Sequence, residues 1–211
     1  MDAQYPAQIS KIEVQKKNKR RAAIYLNDEF AFGLDLTIVG QLGLRKGDFL
    51  TEEQVTQILL QEEKKKIRDK ALRFLAGRAH SEHELKTKLR LRGFNRSLIE
   101  EVMTKLADAG LVDDEAFART FARSRMVNRP VGEHVLRREL LQKGVIEAVV
   151  ENAISEVYSE KSQKDIAAEL FNKHKARYQN LDAWQAKKRM SDFLVRRGFD
   201  WEVVKEVVEE R

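Results

Sequence analysis

The chain has 211 residues, 42% hydrophobic and 35% charged, which allows one or two water-exposed folded domains. Forty Lys and Arg against 34 Asp and Glu give a net charge of +6, which favours polyanionic partners. Cysteine is absent, which excludes disulfides, thiolate zinc sites and a cysteine nucleophile. No apolar stretch approaches the roughly 20 residues of a membrane span, and the first 21 residues lack the apolar core of a secretory signal, so a cytoplasmic location is expected.

Residues 9–15 (ISKIEVQ), 21–27 (RAAIYLN) and 29–34 (EFAFGL) read as strands, with Asn27-Asp28 as a tight turn. They predict a small antiparallel sheet in an N-terminal segment of residues 1–50. The run from Lys16 to Arg21 falls between strands. It reads as a solvated hairpin tip, with contact to phosphate or an acidic protein as the sharper alternative. Gly43-Leu44-Arg45-Lys46-Gly47 lacks the Gly-Lys-Ser/Thr ending of a phosphate loop and is rejected as one.

From Thr51 onward the chain reads as helices. Thr51–Gln54 and Ser81–Glu84 fit capping boxes, Asp182–Gln185 is a third start signal, and Asp113 and Asp200 are N-cap candidates. Leu85, Leu89, Gly93, Phe94, Leu98, Ile99 and Val102 recur 51 residues later as Leu136, Leu140, Gly144, Val145, Val149, Val150 and Ala153. A further 54 residues on they return as Met190, Leu194, Gly198, Phe199, Val203, Val204 and Val207. In each copy an i, i+4 apolar stripe ends at a glycine suited to a left-handed helix terminus, and a second stripe follows. Preceding helices near 52–77, 114–128 and 162–178 complete three-helix units over 51–110, 111–160 and 161–211. The expected fold is mainly α: tandem three-helix, helix-turn-helix-like repeats in an elongated array, behind the small antiparallel sheet.

The middle helices are basic, with +2, +1 and +4 over 81–92, 133–143 and 183–197. The third helices are acidic, with −2, −4 and −2 over 97–108, 147–160 and 202–211. An acidic recognition helix suits a DNA groove poorly. The segregated charge instead suits a protein partner, or non-specific contact with a nucleic-acid backbone. Arg92, Lys143 and Arg197, one residue before each glycine, have a helix-dipole role available to them. Lys86, Lys88, Arg90, Arg137, Arg138, Lys187, Lys188 and Arg189 are the candidate partner or DNA contacts.

Particular blocks resemble the RecX family of bacterial RecA regulators. They are His80-Ser81-Glu82-His83-Glu84-Leu85, Leu89-Arg90-Leu91-Arg92-Gly93-Phe94 and Gly110-Leu111-Val112-Asp113-Asp114-Glu115-Ala116-Phe117-Ala118. Phe121, Arg123-Ser124-Arg125 and Arg137-Arg138-Glu139-Leu140-Leu141-Gln142-Lys143-Gly144-Val145 extend the likeness. Tyr5 to Lys19, and Ile24-Tyr25-Leu26 through Phe30-Ala31-Phe32-Gly33, are similar to the extended members. Arg129-Pro130-Val131-Gly132 departs from a more basic family loop, which weakens any phosphate contact there. The resemblance implies tandem three-helix repeats, no catalytic activity and no cofactor. It also implies direct binding to RecA or its filament on single-stranded DNA; a monomer without membrane attachment is expected. Family members mostly inhibit ATP hydrolysis, co-protease function and strand exchange, and so act in recombination, DNA repair and the SOS response.

The remaining candidates have plainer readings. Asp113, Asp114 and Glu115 read as a helix N-terminus rather than metal ligands or a nuclease site. His80, His83, His134 and His174 show no convergent zinc set and are expected at the surface or in caps. Phe74, Phe117, Phe121, Phe171 and Phe193 fall on apolar helix faces, and Tyr178, Trp184 and Trp201 are expected to pack between repeats. A non-specific nucleic-acid-binding repeat protein, acting through the middle helices and the Lys16–Arg21 run, is the alternative reading.

Overall fold

A computed structural model describes residues 5–210. Contacts divide it into two compact units, one of Met1–Arg73 with Leu89–Val102, the other of Phe74–Lys88 with Met103–Arg211.

The first unit opens with an antiparallel sheet of β1 (Ala7–Val14), β2 (Arg21–Leu26), β3 (Glu29–Asp35) and β4 (Phe49–Leu50), ordered β3-β2-β1-β4. Alternation puts Ile9, Ala22, Ile24 and Leu34 on one buried face, with Ile24 opposite both Ile12 and Phe32. The Asn27-Asp28 turn adopts φ of 49° and 70°, the left-handed pair that matches strand twist in a two-residue hairpin. Helix α1 (Leu36–Gln41), capped by Asp35, and the short β4 were not foreseen. The buried sheet face packs on Ile38 of α1 and on Val55 and Ile58 of α2 (Glu52–Gly77). Thr51 and Gln54 exchange the expected capping-box hydrogen bonds at the start of α2. Glu62 of α2 is 3% exposed and accepts from Arg21 Nη1 at 2.6 Å and the Asp35 N–H at 2.8 Å. It thereby ties the sheet to the helix.

The repeats follow as α3 (Glu82–Arg90) and α4 (Arg96–Asp108), α5 (Asp114–Asn128), α6 (Glu133–Gln142) and α7 (Glu147–Glu160), then α8 (Gln163–His174), α9 (Ala183–Arg196) and α10 (Trp201–Glu209). A short 3-10 helix, Lys175–Tyr178, extends α8. The repeated stripe residues Leu85, Leu89, Leu136, Leu140, Met190 and Leu194 are buried at equivalent places. Gly93, Gly144 and Gly198 all have positive φ, at 82°, 79° and 87°.

Within the second unit, each later glycine turn receives the first turn of the preceding repeat's middle helix. The Ser81 hydroxyl donates to the Lys143 carbonyl, and a Cβ on Gly144 would lie 2.2 Å from the His83 Cβ. One repeat on, the Gly132 N–H donates to the Arg197 carbonyl at 2.8 Å and the His134 N–H to the Gly198 carbonyl at 3.2 Å. A Cβ on Gly198 would meet the Val135 backbone nitrogen at 2.6 Å. The sequence period foresees these glycines as helix ends only; the close approach is a second reason for them.

Candidate functional site

The acidic block after Gly110 acts at this same junction. Asp113 caps α5 by accepting the Ala116 N–H at 2.9 Å, as expected. Asp114 accepts the Glu82 N–H at 2.8 Å. Burial raises its carboxyl above the ordinary aspartate range, with the Glu82 hydrogen bond opposing. No group of three or more metal-ligating side chains occurs among the described residues. Glu84 joins the same contact, taking Arg78 at 3.0 Å and Lys143 at 2.7 Å. Burial alone would raise its carboxyl, but hydrogen bonds and charge from Arg78 and Lys143 outweigh it and hold the group at about 2. Lys143 and Arg197 therefore do more than meet a helix dipole. Lys143 reaches Glu84, and Arg197 Nη1 donates to the Pro130 carbonyl at 3.1 Å. The loop at Arg129–Gly132 is an internal contact, with Val131 buried and its carbonyl accepting from the Tyr158 hydroxyl.

Several expectations are corrected. Trp184 and Trp201 do not pack between repeats: they stand in the first turns of α9 and α10, off the apolar stripes, and are 70% and 61% exposed. Tyr178 packs inside the third repeat. His80 is buried rather than superficial, its Nδ1 2.9 Å from the Arg78 carbonyl and its Nε2 2.6 Å from Lys88 Nζ. Burial lowers its pKa, consistent with a neutral ring that accepts from the lysine. Asp200 begins α10, but its carboxylate makes no cap; it pairs with His134 at 2.6 Å.

The candidate basic residues separate into two groups. Lys88 is turned inward to His80 and lies 5.0 Å over the Phe74 ring. Arg137 donates to Glu133 and Glu147, at 2.7 and 2.6 Å, and also to Glu151. Lys86 pairs with Glu82 one turn away at 2.8 Å. Arg90 is exposed. Arg138, Lys187, Lys188 and Arg189 are also exposed, and none is ion-paired among the described residues. Lys188 lies 5.0 Å over the ring of Trp184.

Much of the charge segregation is also internal. First-helix cations meet third-helix carboxylates in every repeat: Lys64 with Glu101, Arg123 with Glu156 and Glu160, and Lys164 with Glu206 and Glu210. The acidic third helices therefore neutralise their own repeats. Another concentration of cations lies outside the eight candidates, on Lys66, Lys70 and Arg73 of α2. Their i, i+4, i+7 spacing was its only signal in the sequence.

A small sheet followed by three-helix units clasped through their glycine turns defines a tandem-repeat protein. The regulatory protein RecX N-terminal domain matches residues 7–51, and the first, second and third RecX three-helix domains match 68–106, 113–154 and 162–208. The regulatory protein RecX of Bacillus cytotoxicus is 32% identical over 97% of this chain and 77% of its own. That of Halalkalibacterium halodurans is 33% identical over 94% and 76%. A crystal structure of regulatory protein RecX superposes with a TM-score of 0.78 at 28% identity, over 97% of this chain and 100% of that one. RecX from Lactobacillus salivarius shares the fold, with a TM-score of 0.64 at 24% identity over 70% of this chain and 96% of that one. The chain belongs to the RecX family of regulatory proteins.

Proposed function

We propose that this chain regulates RecA: it binds RecA or its filament on single-stranded DNA and damps ATP hydrolysis, co-protease action and strand exchange, with no chemistry of its own. The observation that carries this reading is the succession of all four RecX domains, in order, along one chain. Cytoplasmic action in DNA repair and recombination follows from the same reading, and among the described residues no helix is long and apolar enough to cross a membrane. Units joined through the same turn contact can engage more than one copy of a repeating partner, so that modest contacts reinforce one another. Arg138, Lys187, Lys188 and Arg189 are the contacts this reading favours, because among the described residues no carboxylate takes up their charge. The test is RecA ATPase on single-stranded DNA with and without this chain. The rate is expected to fall with added chain, and an unchanged rate at stoichiometric excess overturns the reading.

A further inference from the structure

The N-terminal unit holds a cleft of about 870 Å³ that the regulatory reading does not use. Its walls are the β1–β2 turn, the start of α1, one face of α2, and Phe94. Seven cations and two carboxylates line it. The two carboxylates, Asp35 and Asp69, are both engaged by Lys65, at 3.5 and 2.9 Å. Arg21 is committed to buried Glu62 and to the Gly33 carbonyl. Lys19, Arg20, Lys66 and Arg73 form the surplus, drawn from two segments some fifty residues apart. Lys66 lies 3.4 Å from Glu62, a carboxylate that Arg21 already holds.

Folding gains little from gathering like charges in one cleft. The charge of Arg92, which is not among the lining residues, then burial, then the charge of Arg73 within the cleft lower the pKa of Lys70 from its ordinary value. An anion in the cleft relieves that repulsion.

Phe94 narrows the choice of anion. Its repeat counterparts, Val145 and Phe199, are each 2% exposed, whereas Phe94 is only half-buried and borders the cleft. A cation-lined groove with an aromatic face matches a single strand, whose phosphates need charge and whose unstacked bases need a ring. A duplex keeps its bases stacked, and an acidic peptide has no need of the ring. We propose that this cleft binds the backbone of single-stranded nucleic acid, with Lys19, Arg20, Lys66 and Arg73 on phosphates and Phe94 stacked on a base. The proposal stands apart from the RecA reading and from the middle helices.

The test is fluorescence anisotropy of a labelled oligothymidylate with the full chain, across a salt series. Lys19→Glu/Arg20→Glu/Arg73→Glu changes three exposed side chains, and an unchanged melting temperature checks its fold. It is expected to bind about tenfold or more weakly, with the slope of log affinity against log salt reduced by about 2. Phe94→Leu is expected to weaken binding about fivefold at an unchanged slope. Lys173→Glu/Lys175→Glu/Arg177→Glu, at three exposed positions outside the cleft, is expected to retain wild-type affinity. Wild-type binding by the folded cleft variant overturns the proposal. So do an equal loss in the outside variant, equal affinity for a duplex of the same length, and no binding by the wild type at low salt. No RecA is present, so a failure here is distinguishable from a failure of the ATPase test.

Discussion

The glycine turns at Gly93 and Gly144 share a sequence motif and nearly the same backbone, with φ of 82° and 79°. Their surroundings differ completely. A Cβ on Gly93 would meet nothing within 4 Å, whereas one on Gly144 would overlap the His83 side chain at 2.2 Å. The first glycine answers only to its own helix end. The second answers to a neighbouring repeat as well, and Gly198 repeats the second case against Val135. The same motif thus has a local meaning where no repeat precedes it and a tertiary meaning where one does.

Alanine at the three positions separates those meanings. Gly144→Ala and Gly198→Ala are expected to lose about 3 kcal/mol or more, combining left-handed strain with a clash against packed groups. Gly93→Ala carries the strain alone, about 1–2 kcal/mol. Denaturant unfolding measures both, and equal losses would break the comparison.

Glu84 sharpens it through pH. Its carboxyl is held at about 2 against an ordinary 4.5, so its contribution to the junction is complete above about 4.5 and is lost as pH falls through about 2. Glu84→Gln is expected to cost about 1–2 kcal/mol at neutral pH and to flatten the acid limb of the stability curve. An acid limb identical to wild type would remove Glu84 from the junction.

The smallest effects belong to exposed ion pairs. Lys164→Ala is expected to leave stability nearly unchanged, and Arg137→Ala, which loses three carboxylate partners, to cost about 1 kcal/mol. The Arg137→Ala loss should shrink as salt is added; calorimetry at two ionic strengths reads both variants.

The repeat was legible because its signals are local. A stripe at i, i+4, a glycine and an acidic cap all lie within one turn of what they determine. The junction was not, because Gly144 meets a side chain 61 residues earlier and Asp114 an N–H 32 residues earlier. Lys88 and Arg137 illustrate the same limit. Each reads as an outward charge on a helical wheel, and each is claimed by a partner that only tertiary packing supplies, His80 for one and Glu151 for the other. The N-terminal strands followed from alternation, while two-residue β4 was too short to leave a pattern. Lys19 and Arg20 were visible as a charge run, but their companions on α2 are brought beside them only by the fold.

The junction geometry also sets the third middle helix apart from the first two. Ser81 and Gly132 occupy the place where a following turn rests, and the residue at the same period in the third repeat is Ala186. There the middle helix has already begun: α9 starts at Ala183, capped by Asp182, and runs 14 residues against the 10 of α6. A turn resting on α9 as the others rest on α3 and α6 would meet that extra helical turn.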